Sequence, residues 1–345
     1  MVQGNGMDLS VFQFDYDMSF AVFFLDSDKT IYGRYGSRTQ SGEGKADSEI
    51  SMKGLAASMK AALALHSNKA KYAAVLRLKT GPAPKYATPE KNPQLRKYKP
   101  KIDYGPNVAK SCVHCHQVRD VERLVLRKKG MPLPDRVLFP YPMPDALGLR
   151  FDKDSRATVA DVIPSSAAAT AGIRRGDKLR SLQGQPITSV ADIQWVLENT
   201  LERGDELMAV VEKVGGGSAS VKLRLEEGWR RKGDISWRVS TWDLRRIALG
   251  GMKLDQLEDR ERKRLGLEGK MALLAKHVGQ YNDHAVAKRA GVVKGDILIE
   301  FDGVSEDLSE AGVIAHGMQK RKAGDVVPVK MLRRGKEMSF RIKLQ

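Results

Sequence analysis

Hydrophobic and polar positions change period several times along the chain. From Asp8 to Asp15 they alternate and predict one strand. Ser19 to Leu25, with the unbroken apolar run Phe20–Leu25, and Thr30 to Tyr35 predict a hairpin turning at Asp26-Ser27-Asp28-Lys29. Met52 to His66 switches to helical spacing, with Leu55, Met59, Leu63 and the alanines as its apolar side. The pattern then breaks. Eleven of the fourteen prolines fall between Pro82 and Pro144, which excludes an unbroken helix or a central strand there. Residues 79–106 read as an extended, partly polyproline-like linker. Beyond residue 145, short helical and strand-length apolar runs return, and they do so twice.

The repetition is explicit. Ala171-Gly172-Ile173-Arg174-Arg175-Gly176-Asp177-Lys178-Leu179 matches Ala290-Gly291-Val292-Val293-Lys294-Gly295-Asp296-Ile297-Leu298 at an offset of 119 residues. Gly184 and Gly303 match at the same offset, and Gly204-Asp205 matches Gly324-Asp325 at 120. In each copy a short Ala-rich helix ends at a glycine suited to left-handed dihedrals. A Gly-Asp turn then enters a buried strand, Asp296 to Phe301 in the second copy. A second helix follows: Ser189 to Asn199, with Ser189 as N-cap, and Ser309 to Met318. Two strand-like runs close each copy around the turns Gly215-Gly216-Gly217 and Arg334-Gly335-Lys336.

The Ala-Gly-x-x-x-Gly-Asp-x-Ile/Leu core resembles the PDZ modules of bacterial HtrA-type proteases, over roughly 146–227 and 247–345. The resemblance implies a loop whose amides hold a peptide's terminal carboxylate, and a strand edge to which that peptide adds. The matching loops are Leu147-Gly148-Leu149 and Leu249-Gly250-Gly251-Met252. Arg150-Phe151 would begin the first receiving strand, with Ile193 and Val196 or Leu197 offered to a ligand side chain. Leu254 to Leu267 resembles the extra helix of such modules. The implied partners are protein C-termini or extended peptides. No glycine-flanked serine nucleophile is present, so the resemblance does not extend to protease activity.

Charge changes the picture in one place. Of a net +17, residues 69–136 contribute +12, from 17 Lys/Arg against 5 Asp/Glu. This reads as a solvated basic connector. No aromatic-interleaved motif points to specific nucleic-acid binding, and no apolar run is long enough to cross a bilayer.

The chain has two cysteines, in Cys112-Val113-His114-Cys115-His116. C-x-x-C-H fits haem c attachment: two thioethers from Cys112 and Cys115, and His116 as the iron ligand. Asn107 to Lys110 suits the start of a short helix before them. Met131-Pro132 and Met143-Pro144 are candidates for the opposite axial position, Met143 lying in the stiff segment Pro140-Tyr141-Pro142-Met143-Pro144. A zinc site and a redox dithiol, which would need a redox partner, are the alternatives the residues leave open.

Strand, hairpin and helix before residue 68 resemble the C-terminal part of a thioredoxin fold, with Phe20–Leu25 and Ile31–Gly36 as its third and fourth strands. The first strand, first helix and redox C-x-x-C of that fold have no counterpart, and Met18-Ser19 stand where its proline would precede the hairpin. Residues 1–68 are therefore expected to lack thiol reductase activity. The whole order is similar to a bacterial family that joins a thioredoxin-like domain, a C-x-x-C-H segment and PDZ modules, some members being selenoproteins. That resemblance implies a gene start upstream of Met1, with a selenocysteine codon read as a stop, and as its alternative function a thiol or selenol oxidoreductase.

The expected fold is multidomain α+β: a partial thioredoxin-like α/β segment (1–68), a basic Pro-rich linker (69–106), a Cys/His segment (107–145) and two PDZ domains (146–232 and 243–345). The expected function is a peptide-binding adaptor linked to a redox site, with a pure binding scaffold whose Cys/His site is a structural metal or thiol site as a further alternative. Haem c chemistry and the HtrA resemblance place it in the periplasm or otherwise outside the cytoplasm.

Overall fold

The structure is a computed structural model that describes residues 2–18, 20–36 and 50–345. Its elements open with β1 (Val22–Leu25), β2 (Ile31–Tyr35), α1 (Met52–His66) and α2 (Lys69–Leu76). Then come α3 (Val108–Ser111), α4 (His116–Lys128), α5 (Asp135–Leu138), β3 (Leu149–Phe151) and β4 (Val159–Val162). The first repeat copy continues through α6 (Ala167–Thr170), β5 (Lys178–Leu182), β6 (Gln185–Pro186), α7 (Val190–Glu198), β7 (Asp205–Glu212) and β8 (Ser218–Leu225). The last part holds α8 (Thr241–Leu249), β9 (Met252–Gln256), α9 (Asp259–Leu265), β10 (Leu273–Val278) and α10 (Val286–Arg289). It ends with β11 (Ile297–Phe301), α11 (Glu310–Gln319), β12 (Val326–Arg333) and β13 (Lys336–Lys343). Two compact units result. One comprises Met1–Val118 with Phe139–Gly233, the other Arg119–Leu138 with Asp234–Gln345.

In the first unit β1 and β2 form the expected antiparallel hairpin, with Val22 opposite Tyr35. Asp26 makes the turn: its Oδ1 accepts the N–H groups of Asp28 (3.0 Å) and Thr30 (2.9 Å), and Lys29 takes φ 61°. Ser19, the first residue of the expected strand, lies outside the described residues. Asp8 to Asp15 is not a strand. The Asp8 carboxylate accepts the Ser10 N–H at 3.0 Å, and the Asp8 carbonyl accepts from Val11 and Phe12, so the segment folds into turns.

Helix α1 has the expected bounds, and Ala61 and Ala62 of its expected apolar side are buried, but Met59 and Leu63 of that side are not. Gly54, Ser58, Ala61, Ala62 and Leu65 are buried, while Met59 and Leu63 are 48% and 63% exposed. Close backbone approach decides this. A Cβ on Gly54 would sit 2.2 Å from the Lys153 carbonyl oxygen, and Ser58 Oγ donates to the Thr188 carbonyl at 2.8 Å. Small residues fit there, and the larger Leu and Met side chains do not.

Residues 79–106 are not an extended linker. Lys79, Pro89, Leu95 and Tyr98 are buried, and 3-10 turns form at Arg77–Lys79 and Pro89–Lys91. The amino-terminal segment holds this stretch through Leu9 N–H to the Ala87 carbonyl (2.9 Å) and Asn5 Nδ2 to the Lys99 carbonyl (2.8 Å).

The first repeat copy builds a four-stranded sheet, β6-β5-β7-β8, and the pair β3-β4. Their shared core includes Leu147, Leu149, Ile193, Val196, Leu197 and Trp229. The second unit holds a five-stranded sheet in the order β13-β12-β11-β10-β9. Ser189 caps its helix as predicted, by accepting from Ala191, and Ser309 does the same in the second copy by accepting from Gly312. Leu254 to Leu267 is not one helix: Met252–Gln256 is a strand, and only Asp259–Leu265 is helical.

The repeated aspartates have one role. Asp177 accepts the N–H groups of Arg174 and Val214 (both 3.0 Å) and an ion pair from Lys213 at 2.9 Å. Asp296 accepts the Val293 N–H at 2.9 Å and pairs with Arg333 at 2.7 Å. Burial alone would raise the Asp177 pKa, but bonds from Lys213, Val214 and Arg174 outweigh it and hold the carboxyl below its usual range. A depressed carboxylate contributes stability that is complete above its unfolded pKa and lost as pH falls through the folded value. The first unit is therefore expected to lose stability below about pH 4, and Asp177→Asn to flatten that dependence. Thermal melts of both proteins from pH 7 to pH 3 check it.

Candidate functional site

Two places carry the sequence-predicted residues: the loop, strand and helix of each repeat copy, and the Cys/His corner.

In the first copy, Leu147 and Leu149 are fully buried and flank Gly148, which takes φ 82°. Only glycine fits. A Cβ there would sit 2.0 Å from Ser166 Oγ. The Gly148 N–H donates to the Asp145 carbonyl at 2.9 Å, and its carbonyl accepts from Ile163 at 2.9 Å. Beyond the loop, β3 pairs with β4. Arg150 on β3 is exposed and faces Asp161 at 3.7 Å.

Helix α7 is buried on every side from Val190 to Leu197. Ile193, Val196 and Leu197, expected to meet a ligand, belong instead to the copy's own core. Other faces carry intrachain contacts. Ser189 Oγ donates to the Arg34 carbonyl at 2.6 Å, and Asp192 accepts the Arg34 N–H at 3.2 Å. Asp192 also takes an ion pair from Lys79 at 2.8 Å, and Trp195 Nε1 donates to the Leu78 carbonyl at 2.9 Å. The Arg34 guanidinium stacks on the Trp195 ring at 4.0 Å. Toward its C-terminus α7 holds the chain that leads into the loop: Gln194 Nε2 donates to the Tyr141 carbonyl (3.0 Å) and to Met143 Sδ (3.3 Å), and Glu198 accepts the Tyr141 N–H at 2.8 Å. Tyr141 keeps a left-handed φ of 46° within these bonds.

In the second copy, Leu249 and Met252 are fully buried around Gly250 (φ 61°) and Gly251 (φ 88°). A Cβ on Gly251 would lie 1.9 Å from the His284 carbonyl oxygen. The Gly251 N–H donates to the Arg245 carbonyl at 2.9 Å, and the Gly250 N–H points to the same oxygen as the cap of α8. Sequence reasoning missed Arg245, Glu310, Asp192 and Glu198. Asp192, Glu198 and Glu310 had a signal, a carboxylate in or at the start of a mostly apolar helix, whereas Arg245 lies beside Asp243 and Arg246 and had none.

The two cysteines are free and flank a corner, not a helical turn. Cys112 caps α3 in extended conformation (φ −84°, ψ 127°), and α4 begins at His116. Val113 between them is buried, its N–H donating to Asn5 Oδ1 at 2.7 Å. The rings of His114 and His116 lie 5.9 Å apart. Cys115 packs into an apolar cluster with Met7, Leu9, Phe14 and Met18. Burial first, and the neighbouring Cys112 second, push its thiol pKa up. Cys112 is thus expected to be alkylated by iodoacetamide on the order of tenfold faster than Cys115, as peptide mass spectrometry would read.

These residues do not fit an enclosed haem with Met143 as second ligand. Met143 is buried, and its sulfur accepts from Gln194 Nε2 at 3.3 Å. Among the described residues no group of three or more His, Cys, Asp and Glu is gathered for a metal ion, and His116 lies in no such group there.

Residues 145–217 match the PDZ domain family. Periplasmic serine endoprotease DegP of Escherichia coli K12 is 33% identical over 91 residues, which is 26% of this chain and 19% of DegP. The same protein of Escherichia coli O157:H7 matches equally. The chain thus spans about a fifth of the length of these relatives. A structure of the HtrA-type protease AlgW with a tripeptide aligns over 41% of this chain and 52% of that one, at 14% identity and a TM-score of 0.25.

Proposed function

We propose that this chain is an extracytoplasmic peptide-holding adaptor. Its PDZ domain at 145–217 captures extended protein segments at the Leu147-Gly148-Leu149 loop and the β3 edge, and the second unit is a further module of the same kind. The observation that carries the reading is the PDZ match itself, falling on a buried glycine loop, a short strand and a capped helix in the order that such capture needs. The matched internal turns of Asp177 and Asp296 support extending it to the second unit. The periplasmic setting rests on the match to DegP, described as a periplasmic protein. No protease chemistry is proposed, since the chain has no glycine-flanked serine nucleophile.

The test uses fluorescein-labelled decapeptides ending in Leu, Val, Ile or Phe, with the full chain and fluorescence anisotropy as readout. Capture through the loop predicts that a free C-terminal carboxylate binds at least about tenfold tighter than the same peptide amidated. Equal affinity for acid and amide, or no binding by either, would sink the reading.

The Cys112/Cys115 corner is proposed as a dithiol that serves a redox partner, supported by two free, partly buried thiols, with burial raising the Cys115 pKa. A covalent haem band after periplasmic expression with the haem c maturation machinery, lost in Cys112→Ala/Cys115→Ala, would replace that dithiol with a cytochrome.

A further inference from the structure

The second unit has the parts of a peptide groove, and each of them already has an occupant. β9 is the edge strand of its sheet, paired with β10 alone among the described residues. An incoming peptide would need its free edge amides. The Leu254 N–H on that edge donates instead to Glu310 Oε1 at 2.7 Å. Glu310 is the first residue of α11, the helix that would form the other wall. The loop amides that would hold a terminal carboxylate, Gly250 and Gly251, are directed to the Arg245 carbonyl.

Helix α8 supplies the loop's occupant, the Arg245 carbonyl, and through the Arg245 side chain it holds the Glu310 that occupies Leu254. It runs into the loop and packs along α11. Leu244, Ala248 and Leu249 are fully buried, and a Cβ on Gly317 of α11 would stand 3.2 Å from Ala248 Cβ. Two small residues therefore let the helices touch. Arg245 fixes the arrangement. It is 1% exposed, its Nε and Nη2 reach both Glu310 carboxylate oxygens at 2.9 and 2.6 Å, and its guanidinium lies over Trp242 at 4.8 Å. The fork-to-carboxylate geometry is bidentate, so it sets orientation as well as attraction. The first unit shows a related arrangement: the chain just before its loop, Tyr141 to Met143, lies on α7 through Gln194 and Glu198.

We propose that α8 is a built-in occupant of the second unit's groove, an autoinhibitory helix latched by Arg245 and Glu310. The inference rests on the peptide-holding reading above. A peptide with a free C-terminal carboxylate competes with the helix: the carboxylate replaces the Arg245 carbonyl at the Gly250 and Gly251 amides, and the peptide main chain replaces Glu310 at Leu254. Apparent affinity is reduced by the fraction of molecules in which α8 is docked.

The test compares the full-length wild type with Arg245→Met/Glu310→Gln, using hydrogen exchange and the same free-carboxylate decapeptides. The double substitution removes both buried charges together and keeps a side-chain amide oxygen at position 310 for the Leu254 N–H. Arg245→Met alone is the second variant, and thermal melts identify any chain that has not folded. Expected are at least tenfold faster exchange of the α8 amides and at least tenfold tighter peptide binding, with peptide protection appearing at 250–256. Unchanged α8 exchange, or α8 release without new protection at 250–256, overturns the inference. Protection confined to 147–151 leaves peptide holding by the first unit standing while the latch falls; protection at neither place removes the underlying reading.

Discussion

Asp192→Asn is expected to destabilise the first unit by about 3–5 kcal/mol, the usual cost of stranding a buried charge partner. Asp192 is 1% exposed, and the Lys79 side chain that faces it at 2.8 Å is fully buried. Arg34, 2% exposed, gives the carboxylate its main-chain N–H. Burial pushes the pKa of both cations down, that of Arg34 to about 10. The second carboxylate oxygen accepts the N–H (2.9 Å) and hydroxyl (2.6 Å) of Thr188. Neutralising Asp192 thus removes the ion-pair partner of Lys79 and a charge that favours the buried Arg34 cation. Lys79→Met is expected to cost less, because Asp192 then keeps Thr188 and the Arg34 amide. The double variant should recover part of the loss, since neither charge is stranded. Urea unfolding of the three variants reads these differences. A double-mutant coupling near zero would mean that the pair is not what joins the 79–106 stretch to α7.

This cluster also shows where sequence reasoning reaches its limit. The repeat was legible because glycines at left-handed positions and aspartates capping turns are local requirements, visible in nine consecutive residues such as Ala171 to Leu179. Helix α1 was legible in extent, since its period is local too, but only in part in the face it buries. Which face is buried depends on the partner, and here Lys153 and Thr188, distant in sequence, approach so closely that glycine, serine and alanine face inward. The stretch 79–106 looked like a linker because prolines and lysines are what a solvated connector contains. Lys79 alone shows why composition misled: it is among the most deeply buried side chains of the chain, and its partner Asp192 is 113 positions away. The expected ligand-facing residues Ile193, Val196 and Leu197 failed for a related reason. Helical period finds an apolar stripe, but a stripe can serve the core, and in α7 the polar residues Asp192, Gln194 and Glu198 make the outward contacts.

The same logic gives Arg230 an effect of comparable size. Its side chain is 2% exposed and pairs with Glu198 at 3.1 Å. It also donates to the carbonyls of Phe139 (3.2 Å), Leu197 (3.0 Å), Glu198 (2.7 Å) and Thr200 (3.3 Å). Three of those carbonyls end or follow α7, where a cation also meets the negative end of the helix dipole. The fourth, with Glu198 on Tyr141, ties the 139–143 segment to the same place. Arg230→Ala is expected to cost about 3–5 kcal/mol, since Glu198 stays buried without its cation and helix carbonyls lose their donors. Arg230→Lys should rescue little, because one ammonium on a flexible stem cannot spread donors over five acceptors as the planar fork does. The distinguishing readout is local. If Arg230 anchors the approach to the Leu147-Gly148-Leu149 loop, amide exchange at 139–147 should rise in both variants more than exchange in β7 or β8. A uniform rise across the unit would instead make Arg230 a contributor to global stability with no particular hold on that segment.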